Sequence, residues 1–397
     1  MGEDTMAASP VLPLKRTCPY APPAEHLRLQ REEPVARVTL PDGSTAWALS
    51  RLEDIRTMLT DPRFSSDRYR EGYPLQPPGQ QRRADERPLL IGLDPPEHGE
   101  ARRAVVGEFT IKRMNALRPR IQQIVDDCVD AVLAGPRPAD LVAALALPVP
   151  SLVICELLGV PYADHDFFQD RSANLLLRST PAQERFAAAK EIRDYMATLI
   201  AEKAKTPGDD LLSRQLAKGA DHEDLAGLGF LLLLAGHETT GNMISLGTMT
   251  LLERPEALAA LRRDPASTPQ IVEELLRYFT IAEYVTSRIA VQDVEIGGVL
   301  IRAGEGVVTL GNVANRDPAA FTDGDTFDIE RAARHHIAFG FGAHQCLGQN
   351  LARVELQIVF DTLFTRIPGL RLAAPTDELS FKDDSTVYGL HSLPVTW

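Results

Sequence analysis

The sequence predicts a mainly α-helical protein with a small β region, and three observations carry that expectation. Residues 121 to 227 run as successive apolar helical patterns, broken at Gly135-Pro136, Pro148, Pro161 and Pro207-Gly208. Residues from about Glu223 to Leu252 then form a pattern long enough for one helix of roughly 45 Å at 1.5 Å per residue. Strand signals are few: Val35 to Leu40 and Thr45 to Leu49 flank the turn Pro41-Asp42-Gly43 as a hairpin, and Val294 to Ile301 is strand-like.

At 397 residues, 44% of them hydrophobic and 24% charged, the chain can bury a large core. Length alone suggests two or more domains, yet no linker, internal repeat or low-complexity tract divides it. The net charge of -13 speaks against a general phosphate-binding surface, so nucleic acid is not an expected partner. Cys18, Cys128, Cys155 and Cys346 are scattered without a CxxC pair or zinc spacing, which fits a reducing compartment. The start, Met1 to Met6, lacks the basic and apolar pattern of a secretory signal, and the apolar run Gly229 to Ala235 is too short to span a bilayer. A cytoplasmic protein with no membrane association is expected.

Taken in order, a Pro-rich lead over residues 1-30 precedes the hairpin, and a helix begins near Leu52 and stops before Asp61-Pro62. Residues 66 to 90 hold many Gly, Pro and charged residues with no period, reading as a functional loop or a surface insertion. After Pro95-Pro96 a helix sets His98 and Arg102 four apart on one face, where both can donate to one carboxylate or simply meet solvent. Between residues 101 and 120, Arg102, Arg103, Lys112, Arg113, Arg118 and Arg120 stand against only Glu108. In so acidic a chain this run reads either as a dock for an acidic protein or as a solvated helix surface.

The long helix carries Ala235-Gly236-His237-Glu238-Thr239-Thr240-Gly241 in its middle, polar where a buried helix is expected to be apolar. Thr239 is four residues after Ala235, so its hydroxyl can bond the Ala235 carbonyl and bend the helix. His237-Glu238 opens a zinc-peptidase HExxH pattern, which fails because the second His position is Gly241. Downstream, Glu274 and Arg277 lie three apart on one helix side, a spacing common on any solvated helix. Finally, Phe339 to Gly348 place Cys346 in a loop with Gly340, Gly342 and Gly348, which permit tight turns and close approach to a flat cofactor. The following helical pattern puts Cys346 at a helix N-terminus, where peptide N-H groups favour a thiolate.

Phe339, Gly342, Cys346 and Gly348 resemble, position for position, the haem-loop signature Phe-x-x-Gly-x-x-x-Cys-x-Gly of the cytochrome P450 family. The resemblance extends from about residue 30 to the end and implies one large, mainly helical haem domain over residues 31-397. It implies haem b with Cys346 as axial iron ligand, and His98, Arg102, Ala235, Arg288, Phe339, Gly342, His344 and Gly348 around the cofactor. It also implies that Thr239 hydrogen-bonds dioxygen, that Glu238 relays protons, and that Glu274, Arg277 and Arg331 form a buried structural lock. The implied activity is hydroxylation or epoxidation of a bulky apolar metabolite, such as a macrolide or other polyketide. With no Gly-x-Gly-x-x-Gly fingerprint or fused flavin domain, electrons are expected from a ferredoxin and its NAD(P)H-dependent reductase. The protein is expected to be a monomer. An atypical oxidation, such as oxidative coupling or multistep oxidation, leaves the same motifs intact; a non-turnover haem-thiolate binding protein needs no proton relay. The substrate pocket is expected to draw on the 66 to 93 loop with Leu93, Leu231 and Leu232, Ile281 to Val285 with Ala282 and Glu283, Val308, and Tyr388 to Leu390. Glu283 either meets a basic substrate group or faces solvent.

Overall fold

The computed structural model describes residues 9–75 and 87–397. Helices dominate: α1 (Ala24–Glu32), α2 (Leu52–Thr60), α3 (Glu97–Val106), α4 (Ile111–Ala134), α5 (Pro148–Leu158), α6 (His165–Leu176) and α7 (Ala182–Lys205). They continue as α8 (Leu211–Ala217), α9 (His222–Gly236), α10 (Glu238–Leu252), α11 (Pro255–Arg263), α12 (Thr268–Phe279), α13 (Gly311–Ala314) and α14 (Gln349–Arg366). The strands are short. They are β1 (Val35–Thr39), β2 (Thr45–Leu49), β3 (Phe64–Ser65), β4 (Ala139–Asp140), β5 (Arg288–Ala290), β6 (Val294–Ile296), β7 (Val299–Ile301), β8 (Gly306–Thr309), β9 (Arg371–Leu372) and β10 (Pro394–Thr396).

The helix ends follow local chemistry. Thr110 caps α4 by accepting from the Arg113 amide, and Asp221 caps α9 by accepting from Glu223 and Asp224, each satisfying donors a first turn leaves open. Gly159 closes α5 at φ +65, a left-handed position that suits a residue without Cβ. The predicted breaks at Gly135-Pro136, Pro148, Pro161 and Pro207-Gly208 fall at the ends of α4, α5 and α7.

The expected hairpin pairs antiparallel as Val35↔Leu49, and a five-stranded sheet runs β1-β2-β8-β5-β3, with β2 and β8 parallel. Leu12 and Leu29 from the N-terminal lead are buried with Val38, Val308 and Tyr284, so residues ahead of position 31 share a core with this sheet. Val308 is therefore a core residue of the sheet and not part of a pocket wall. The main core gathers α4, α5, α9, α10, α12 and α14. Close packing of α10 on α14 depends on Gly247, where a Cβ would stand 2.5 Å from the Phe360 ring. Among the described residues no helix is long and apolar enough to cross a membrane.

The single helix expected from Glu223 to Leu252 is two helices, α9 and α10, broken at His237. The physical reason lies in the polar segment itself, whose side chains compete for main-chain carbonyls: His237 Nδ1 lies 2.8 Å from the Leu233 oxygen and Thr239 Oγ1 donates to the Ala235 oxygen at 2.7 Å.

One core residue contradicts its surroundings. Glu355 of α14 is buried, its Oε2 finds no hydrogen-bond partner among the described residues, and burial pushes its carboxyl well above the ordinary range. The folded chain thus holds this proton while the unfolded chain releases it, so the contribution of Glu355 to stability falls as pH rises above about 4.3. Glu355→Met removes the unsatisfied group and is expected to raise stability by about 1–3 kcal/mol at neutral pH in urea unfolding. A lower unfolding midpoint would show that the acid has a partner in solution.

Candidate active site

The Cys346 loop is shaped by its glycines. Gly340 and Gly342 both sit at φ +70, and a Cβ on Gly342 would stand 2.9 Å from the Leu59 oxygen at the end of α2. The turn closes with the Cys346 amide donating to the Phe339 oxygen at 2.8 Å. Gly348 precedes α14, and its notional Cβ lies 4.0 Å from the Cys346 sulfur. Cys346 itself is exposed. Desolvation pushes its thiol up, opposed by the Gly348 and Gln349 amides and by the Arg102 and Arg353 guanidinium groups.

Beside it a basic cluster assembles from four separate segments. The His98 ring, on α3, stacks on His344 with centroids 3.8 Å apart. Arg102, one turn further, donates to the Gln345 carbonyl at 2.6 Å, and buried Arg288 of β5 donates to the Ser287 carbonyl at 2.8 Å. His344 Nε2 stands 3.1 Å from Ser66 Oγ. Burial and the neighbouring Arg288, His98, Arg102 and Arg68 drive His344 down to about 3, and burial with Arg102 and Arg288 lowers His98. Neighbouring Asp94 is engaged elsewhere, accepting from the Ser66 amide at 2.7 Å and from the Ser65 hydroxyl. The cluster is thus short of anionic charge, as a cradle for carboxylates is.

At the α9–α10 break, Leu231, Ala235 and Thr239 follow one another at helical spacing along the accessible face, while Leu232 is buried in the main core. Leu232, expected in the pocket, is therefore on the wrong side of the helix. Glu238 is buried and its Oε2 accepts from Lys382 Nζ at 2.9 Å, the same ammonium donating to Asn242 Oδ1 at 3.0 Å. Nothing in the sequence pointed to Lys382.

Glu274, Arg277 and Arg331, grouped by the resemblance, come together in the structure. Arg277 Nε and Nη2 each reach a Glu274 oxygen at 2.7 Å, both side chains are 0% exposed, and Arg331 Nε approaches Glu274 at 3.4 Å. A second assembly was not foreseen. Arg353 Nη2 donates to Glu273 Oε2 at 3.0 Å, His336 stands 3.4 Å from the same carboxylate, and the Arg353 guanidinium lies 4.6 Å over the Phe339 ring. Burial would raise Glu273, but His336 and Arg353 prevail and hold it near about 2. Its only signal in the sequence is that Arg353 lies two helical turns beyond Cys346.

Two further pocket expectations are corrected. Leu390 is fully buried in the main core. Glu283 accepts from Arg16 Nε and Asn312 Nδ2, both at 3.0 Å, so it neither faces solvent nor waits for a basic substrate group. Ile281 is buried, whereas Leu93, Ala282 and Val285 are half-buried. Of the 66 to 93 loop, residues 76–86 lie outside the described residues.

The cytochrome P450 family model matches residues 45–367. The chain belongs to the cytochrome P450 family. It is 51% identical over 399 residues to pentalenic acid synthase of Streptomyces avermitilis, covering 99% of each chain. Among solved structures it is similar to cytochrome P450 MoxA from Nonomuraea recticatena, with 56% identity, a TM-score of 0.89 and coverage of 97% and 98% of the two chains. It is also similar to CYP105P1 in complex with filipin I, with 43% identity, a TM-score of 0.93 and coverage of 98% and 99%. The protein is thus a cytochrome P450 monooxygenase, of a family that uses haem with dioxygen.

The residues present fit a haem. Cys346 offers a sulfur at a glycine-lined turn, and His98, Arg102, Arg288 and His344 offer donors to its two carboxylates.

Proposed function

We propose that this P450 hydroxylates or epoxidises a bulky apolar secondary metabolite, a macrolide or other polyketide, with haem b held by Cys346 and electrons from a ferredoxin and its NAD(P)H-dependent reductase. The observation that carries the reading is the Thr239 to Ala235 bond at the broken helix, set beside buried Glu238. Haem with a thiolate ligand supplies the cleavage of dioxygen, one atom entering a C-H or C=C bond of substrate and the other leaving as water. The chain's own residues do the rest. Thr239 donates its hydroxyl proton to the Ala235 carbonyl, which leaves its oxygen on the accessible face to accept a hydrogen bond. Lys382 holds Glu238 through Oε2, which leaves Oε1 as the oxygen able to pass a proton. The Leu231, Ala235 and Thr239 face, with Ala282 and Val285, offers the apolar wall a bulky substrate needs.

The relative named a pentalenic acid synthase and the structure solved with filipin I support a secondary metabolite as substrate. For the electron donor, Arg103, Lys112 and Arg113 are exposed beside Val106 (43%) and Ile111 (66%), a mixed basic and apolar surface suited to an acidic protein. Part of the basic run is neutralised: buried Glu108 pairs with Arg113, Arg214 and Lys218, and Arg120 pairs with Glu156. The reading places the enzyme in the cytoplasm as a monomer, with residues 31-397 as its haem domain.

Thr239→Ala tests it. With substrate, reductase and ferredoxin supplied, product per electron consumed is expected to fall about tenfold, the equivalent of one lost hydrogen bond, with peroxide released instead. Unchanged coupling would remove Thr239 from its assigned role.

A further inference from the structure

The loop between α6 and α7 is held mainly by groups other than the guanidinium of Arg178. Arg185 of α7 donates to the carbonyls of Leu177 at 2.9 Å and Thr180 at 3.2 Å. On the other side the loop pairs with the C-terminal segment: Leu177 bridges Ser385, the Arg178 amide donates to the Asp384 oxygen at 2.7 Å, and the Thr386 amide donates to the Leu176 oxygen at 3.0 Å.

The Arg178 side chain is half-buried in this setting, and burial lowers its pKa from the ordinary guanidinium value. Its one side-chain hydrogen bond among the described residues runs from Nη1 to the Asp383 carbonyl at 3.2 Å. The acidic groups it faces are Tyr284, Glu283 and Asp384, and among the described residues none forms an ion pair with it. Glu283 is engaged by Arg16 and Asn312, and Asp384 accepts from the Ser179 hydroxyl at 2.8 Å. A guanidinium stays charged and carries five donors in a fixed fork, so desolvating it without a counter-ion is unfavourable.

Its position relates it to the chemistry. Asp383 and Asp384 directly follow Lys382, whose ammonium holds Glu238, and Tyr284 and Glu283 belong to the segment with Ala282 and Val285. Through the Asp383 carbonyl the guanidinium is thus tied to the residue next to the one that holds Glu238.

We propose that Arg178 is a specificity-determining residue that binds the carboxylate of an acidic, otherwise apolar substrate, anchoring it at the end of the pocket away from the Thr239 break. This rests on the monooxygenase reading and names a substrate class for the same site.

The test uses haem-loaded wild type and Arg178→Gln, titrated with dehydroabietic acid, deoxycholic acid and lauric acid and with the primary carboxamide of each. Binding is read from the haem spin-state change and independently from thermal shift. At least one acid is expected to bind wild type about tenfold more tightly than its amide, as a charge-assisted fork gains over a neutral contact, and Arg178→Gln is expected to level the two while leaving amide binding unchanged. Equal binding of acids and amides by wild type, or no binding of any acid, overturns the proposal. So does a preference that survives Arg178→Gln. Should that variant fail to load haem, the wild-type comparison and Arg178→Lys, expected to retain part of the preference, still decide. The reduced carbon monoxide spectrum of each sample separates the outcomes: a thiolate spectrum without acid preference refutes Arg178 recognition alone, whereas its absence refutes the haem-thiolate reading beneath it.

Discussion

Cys346→Ser is expected to abolish the red-shifted Soret band of thiolate ligation in the reduced, carbon monoxide-bound protein, leaving wild type with it. The expectation follows from the loop: Cys346 supplies the sulfur at a turn whose glycines admit a flat cofactor, and the amides of Gly348 and Gln349 and two guanidinium groups favour its anion. A serine keeps the size and the turn but not the soft, electron-rich donor, so turnover is expected to vanish with the band. Persistence of the thiolate spectrum in Cys346→Ser would assign the ligand to another cysteine. Cys128 and Cys155, both buried in the main core where Cys346 is exposed, are poor candidates for that role.

Glu274→Ala is expected to leave little haem-loaded protein and to lower stability by about 3–5 kcal/mol, because it strands a buried guanidinium. Arg277 does more than face one carboxylate. Its Nη1 donates to the carbonyls of Asn315 at 2.8 Å and Gly324 at 2.7 Å, and its Nη2 to Thr326 at 3.1 Å, so α12 is tied to the stretch leading into the Cys346 loop. Glu274 also accepts from the Asp328 amide at 2.9 Å. Arg277→Lys is therefore not a mild change, since a single ammonium cannot reproduce the planar fork. Urea unfolding with haem absorbance as a second probe measures both effects. A fully loaded Glu274→Ala with an unchanged midpoint would show that the lock contributes neither fold nor cofactor retention.

How much of the site was legible depends on how far apart its partners lie. The bond from Thr239 to Ala235 and the pair of Glu274 with Arg277 join residues four and three apart, and helical pitch alone brings such residues together. The glycines around Cys346 were legible for a similar reason, because tight turns and close approach restrict what a position can carry. Even the break at His237 was announced by polar residues in an apolar helix, although the sequence could not say that one helix becomes two.

The unforeseen partners are distant in the chain. Lys382 is 144 residues from Glu238, Arg353 is 80 from Glu273, and Arg16 is 267 from Glu283. No periodicity encodes such pairs, and each carboxylate had several basic residues it could have met. Packing made the choice, and it also buried Leu232 and Leu390 on core faces while leaving Leu231, Ala235 and Thr239 accessible. The chain's local patterns were sufficient for the family, the glycine-shaped turn around Cys346 and the polar interruption at Thr239, since these rest on bonds within a turn or two. The partner of Glu238, the occupation of Glu283 and the isolation of Arg178 depend instead on which helices and loops come to lie side by side, which is settled by burial of the whole apolar surface and not by any short stretch of sequence.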